Sequence, residues 1–169
     1  MVPLSLSIAL TIRVSQLYGA QDLDAIAHTR RVGLVSTTLI ACVSALFLLL
    51  ARDGIAAGYT QDAAVRALAA DLMLFAVGYQ VFDALQVGAA GCLRGLQDTR
   101  SPMLLTLIAY WVVAIPFGFV AGSTEIFGQA WGPYGYWSGL VLGLGIAALL
   151  LNRQLGRRLT QLRLVAEPA

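Results

Sequence analysis

Asp83 lies near the middle of an apolar run that extends from about residue 68 to residue 91, and an ionisable group at that depth in lipid needs a partner or a task. At about 100° per residue, Tyr79, Gln80, Asp83 and Gln86 fall within an arc of about 120° on one helical face, which Ala76, Val87 and Ala90 share. Lipid cannot satisfy such a polar stripe, so the stripe must face protein or a water-filled cavity. The chemistry it offers is narrow. A carboxyl group removed from water can exchange a proton near neutral pH, or it can bind Na⁺ as a metal ligand with help from the oxygens of Tyr79 and Gln80. The same residues also fit a plainer role, as polar side chains that hold helices together by hydrogen bonds.

The remaining polar residues read as structural. Asp71, near the other end of the same helix and on a different side, fits a solvated acid favoured by the helix dipole. Arg94, Asp98 and Arg100 cluster in the run GCLRGLQDTRSP. Arg94 and Asp98 are four apart and can pair on one helical face, forming a clamp on the loop. Pro116, in WVVAIPFG, removes a backbone hydrogen bond and is expected to kink its helix. Gly91/Gly95 and Gly139/Gly143 have the GxxxG spacing of close helix packing. Cys42 and Cys92 have no metal-ligand spacing and are expected to be buried, unpaired thiols. His28 sits beside Arg30 and Arg31, as a solvated loop residue would. With one histidine in the chain and no GxSxG, HExxH or Walker loop, the sequence points away from an enzyme.

The elements that must position these residues are transmembrane helices. Of 169 residues, 59% are apolar and 12% are charged, about half the charge of a soluble domain. The mean hydropathy is +0.77. Four stretches reach the roughly 20 apolar residues that span a bilayer core in helix: 33–51, 68–91, 103–122 and 134–152. The opening run, residues 1–12, is too short to span. Its only nearby charge, Arg13, follows it, which is the wrong order for a signal peptide. It reads as the second half of a helix, and the chain as truncated. The segment 18–32 is expected to form a short amphipathic helix, 52–66 a polar external loop, and 153–169 a frayed or surface-lying tail. Placing the segment after the first stretch in the cytoplasm puts nine of the eleven arginines there, leaving Arg52 and Arg66 outside. That bias also places the C-terminus in the cytoplasm. Trp111, Trp131, Trp137, Tyr134 and Tyr136 are expected mostly near span ends. Nothing in the charge pattern suggests nucleic acid. The expected fold is all-α, a polytopic bundle of four full spans plus a partial first helix, with no separate soluble domain.

The run from Gly78 to Pro102, GYQVFDALQVGAAGCLRGLQDTRSP, resembles the signature of the MATE (multidrug and toxic compound extrusion) family, NorM-type branch. There a QxxDAxQ stretch on the tenth helix is followed by an LRGxxDT turn, here Gln80 to Gln86 and Leu93 to Thr99. PLSLSIALTIRVSQLYGAQD is similar to the end of the family's eighth helix, TLIAYWVVAIPFG to its eleventh and GPYGYWSGLVLGL to its twelfth. The resemblance implies twelve helices in two lobes with both termini cytoplasmic, of which residues 1–169 supply half of helix eight and helices nine to twelve. It implies antiport across the bacterial inner membrane, in which Na⁺ or H⁺ enters as small organic cations leave, with no further cofactor. It assigns the coupling ion to Asp83 and Tyr79, and a substrate cavity to the face bearing Gln80 and Gln86. The acidic partner on the seventh helix has no counterpart here. Because alternating access needs two lobes, this stretch would act only with the missing N-terminal lobe. Two other readings stay open: a flippase for lipid-linked oligosaccharides in the same superfamily, and a membrane scaffold that does not transport.

Overall fold

A computed structural model describes residues 2–126 and 129–166. Among these the chain is all-α: α1 (Val2–Gly19), α2 (Leu23–Tyr59), α3 (Ala63–Gly95), α4 (Arg100–Ile108), a π-helical segment (Ala109–Ala114), α5 (Ile115–Ser123) and α6 (Pro133–Ala166). The run α4–π–α5 is a single rod, and with α2, α3 and α6 it makes four helices long and apolar enough to cross a membrane.

Three expected boundaries are corrected. Segment 18–32 is not a separate helix: Asp22 caps α2, its Oδ1 accepting from the Ala25 N–H at 2.9 Å, and the helix then runs unbroken into the span. The external loop shrinks from 52–66 to residues 60–62, because Asp62 caps α3 by accepting from the Ala64 and Val65 N–H groups. Gly54 and Gly58 are therefore helical. The tail is helical to Ala166, because Leu155 and Leu159 continue the buried stripe begun at Leu151. Hydropathy marks only the part of a helix that lies in lipid. At 1.5 Å per residue α2, α3 and α6 are about 50–56 Å long, against about 30 Å of hydrocarbon.

The α1–α2 and α3–α4 turns are built alike. Gly19-Ala20-Gln21-Asp22 and Gly95-Leu96-Gln97-Asp98 each place a glutamine in the left-handed region, at φ 57° and 62°. In each, the aspartate N–H closes the preceding helix, on Leu17 O at 3.1 Å and on Leu93 O at 2.9 Å. The aspartate side chain then caps the next helix.

Small residues set the packing. An added Cβ on Gly95 would lie 2.8 Å from Thr11 O, and one on Gly91 2.6 Å from Ser7 O, so α1 and α3 meet backbone to backbone, running parallel. The Ser7 hydroxyl donates to Val87 O at 2.8 Å and the Thr11 hydroxyl to Gly91 O at 3.0 Å. Such small-residue contacts substitute for the hydrophobic effect, which cannot drive association in lipid. Gly139 and Gly143 do the same for α6, against Ala114 and Gly118. Beyond the glycines lies a leucine-rich core at one end of the bundle: Val14, Leu17, Ile26, Leu93, Leu96, Leu151, Leu155 and Leu159. This end gathers the arginine-bearing helix ends and carries the Arg163–Asp24 ion pair at 2.8 Å. Cys92 is buried, as expected, but Cys42 is exposed on the outer apolar face of α2, because along this stretch the helix buries a stripe of residues four apart, Thr37, Ala41 and Ala45, and Cys42 falls outside it.

Candidate functional site

Most of the circumference of α3 is taken. Gly91 and Gly95 face α1, Gly88 faces Leu34 of α2, and Gly78 and Phe82 face Val141 and Gly145 of α6. The sector left over carries Tyr79, Gln80, Asp83 and Gln86. The first three are half-buried and Gln86 is 9% exposed. Among the described residues the Asp83 carboxylate receives no hydrogen bond. Gln86 Oε1 accepts from the Tyr110 hydroxyl at 3.2 Å.

Below Asp83 the same face opens into a groove of about 510 Å³. Gln86, Val87, Ala90 and Arg94 form one wall, and Met103, Thr106 and Tyr110 belong to the other. A larger cavity of about 830 Å³ lies between α3, α5 and α6, with Phe75, Phe82, Phe117 and Ile146 in its walls; no ionisable group lines it. No three His, Cys, Asp or Glu side chains come together as a metal cage among the described residues. A cation held at Asp83 would therefore rest on one carboxylate, with the oxygens of Tyr79 and Gln80 on the same face.

The expected loop clamp is built from different partners. Arg94 is exposed at the groove mouth and does not pair with Asp98, because α3 ends at Gly95 and the i,i+4 relation needs continuous helix. Asp98 instead accepts from Ser101 twice, from its N–H at 3.0 Å and its hydroxyl at 2.7 Å. Gln154 of α6 donates to the same Ser101 hydroxyl at 3.2 Å. Partial burial pushes the Asp98 carboxyl up, but the Ser101 and Gln154 hydrogen bonds and the Arg158 charge outweigh it and hold it below its ordinary value. Asp71 is exposed, as expected, yet it ties α3 to α6 by accepting from the Tyr134 hydroxyl at 3.1 Å. Pro116 stands just after the π-helical segment; the irregularity expected at the proline is a wide turn on its N-terminal side. Sequence reasoning missed Tyr110, Ser7, Thr11 and Gln154. For Tyr110 a signal existed, since a tyrosine deep in an apolar span needs a partner for its hydroxyl.

A bundle with four helices long and apolar enough to cross a membrane and one polar face on α3 defines a multi-pass membrane protein. The MatE family model matches residues 1–120, and the chain belongs to that family. It is 49% identical over 158 residues to a probable multidrug resistance protein NorM of Acinetobacter baylyi, covering 93% of this chain and 34% of the relative. It is 46% identical to the multidrug resistance protein PmpM of Pseudomonas aeruginosa, covering 93% and 33%. The chain thus spans about a third of the length of the curated relatives it matches. Its fold superposes on the crystal structure of the eukaryotic MATE transporter AtDTX14 with a TM-score of 0.81 at 21% identity, covering 96% of this chain and 36% of that one. An inward-facing multidrug resistance MATE transporter gives the same score at 16% identity.

Proposed function

We propose that this chain forms the ion-coupling part of a multidrug efflux antiporter of the bacterial inner membrane, and that Asp83 is its coupling carboxylate. The observation that carries the reading is the half-buried Asp83 carboxylate, without a hydrogen bond among the described residues, on the polar sector of α3. An unpaired carboxylate inside a span is costly unless a ligand neutralises it, and H⁺ or Na⁺ does so. Tyr79, one turn away, offers a second oxygen to the ion, while Gln80 and Gln86 line the cavity for the exported compound. That compound is a small organic cation, in keeping with the multidrug resistance proteins among its relatives. Ion and drug would then compete for one negative charge, which is the physical basis of exchange. The bias of nine of the eleven arginines toward one end supports a cytoplasmic position for that end and for the C-terminus. The opposing lobe is contributed by the rest of the transporter.

The test is Asp83→Asn in the full-length transporter, read as cation-driven efflux of a fluorescent organic cation from cells or vesicles. Efflux should fall to background with the protein present in the membrane at normal amount. Unimpaired efflux would overturn the assignment.

A further inference from the structure

The π-helical segment has a geometric purpose. Ala109 and Ala114 both pack on Gly143 of α6: an added Cβ there would meet the Ala114 side chain and would lie 3.2 Å from Ala109 O. Residues five apart in an α-helix point about 140° away from each other and cannot both face one glycine. The i→i+5 bonding of a π turn brings them back to one side. Both alanines are buried, at 0% and 6% exposure, and Gly139 seats the Ala114 carbonyl at 2.6 Å from its notional Cβ. With its back held this way, the segment turns Tyr110 toward α3, where its hydroxyl donates to Gln86 Oε1 at 3.2 Å, on the helical face that carries Tyr79 and Asp83. π turns are frequent at functional sites for this reason, since they re-aim one side chain without ending the helix.

We infer that Tyr110 is a positioning residue of the ion site: its hydroxyl, held on α3 by the π turn, fixes the Gln86 amide and with it the polar face around Asp83. The inference rests on the reading of Asp83 given above and adds a residue from a second helix. Gln86 Oε1 accepts from the Tyr110 hydroxyl, and this tie holds the amide in place on the polar face. Loss of the hydroxyl frees the amide to rotate and to offer either atom to the space around Asp83. The effect of that loss belongs in the affinity for the coupling cation, because the helix frame stays intact when the ring is kept.

The experiment uses Tyr110→Phe, Gln86→Ala and the double variant in the full-length transporter, with ethidium as the fluorescent probe and the amount of protein in the membrane measured for each. The readout is the concentration of coupling cation that gives half-maximal efflux, set against the maximal rate. Each single variant should shift that concentration about three- to tenfold, the worth of one hydrogen bond, and Tyr110→Phe should keep the maximal rate. The double variant should shift it no further than the larger single, because both remove one interaction. Shifts that multiply, or a fall in the maximal rate of Tyr110→Phe with its cation dependence unchanged, would overturn the role. Asp83→Asn run alongside separates the two claims. If it abolishes efflux while Tyr110→Phe leaves the cation dependence unchanged, only the tyrosine assignment falls; if efflux survives Asp83→Asn, the ion-coupling reading falls first.

Discussion

Asp98 and Asp83 belong to the same stretch of sequence, yet their surroundings are opposite. Asp98 sits in a turn, receives hydrogen bonds from Ser101 and Gln154 and is held below its ordinary value as a result. Such a group contributes stability that is complete above the unfolded-chain value of about 3.9 and is lost as pH falls through the lowered folded value. Asp98→Ala should therefore cost about 1 kcal/mol at pH 7 through the lost cap, and thermal unfolding in detergent should show its gap to wild type narrowing below pH ~4. A gap independent of pH would show that the charge is irrelevant. Asp83 was legible in the sequence because its apolar background makes a lone acid conspicuous. The partners of Asp98 were not, because the i,i+4 rule assumes a helix that here has ended three residues earlier, at Gly95. Tyr110 was hidden for a related reason. Its face depends on a local change of helical pitch that no side-chain pattern announces.

The helices themselves were legible in number and order, since about twenty apolar residues leave few alternatives in lipid. Their ends were not, because capping by Asp22 and Asp62 and burial of Leu155 and Leu159 act beyond the apolar runs that hydropathy reads. The GxxxG pairs were also readable, but only contacts reveal which glycines matter. Gly95→Leu forces side-chain atoms onto the Thr11 carbonyl and Val14, the first added carbon already 2.8 Å from both. It should destabilise the bundle by about 1–3 kcal/mol or part α1 from α3. Gly54, also helical, has nothing within 4 Å, so Gly54→Ala should raise stability by about 0.5–1 kcal/mol. Opposite signs in a thermal-shift comparison would check both; equal signs would show that helix propensity alone governs these positions.

At the scale of the whole bundle two regimes of packing meet on one molecule. Glycine and alanine let backbones touch along the bundle; at its arginine-bearing end, leucines close it. Leu155 is fully buried there, and Leu155→Ala should cost about 2–4 kcal/mol, visible as a lowered unfolding temperature with the Arg163–Asp24 pair intact. A neutral result would mean that this end does not cohere on its own leucines. The unbroken length of α6 joins the two regimes. Its first turns lie on α5 and the end of the π segment through bare backbone, and its last turns are wedged among leucines. A rod without an internal break thus ties the backbone that aims Tyr110 to the leucine seat at the arginine-bearing end.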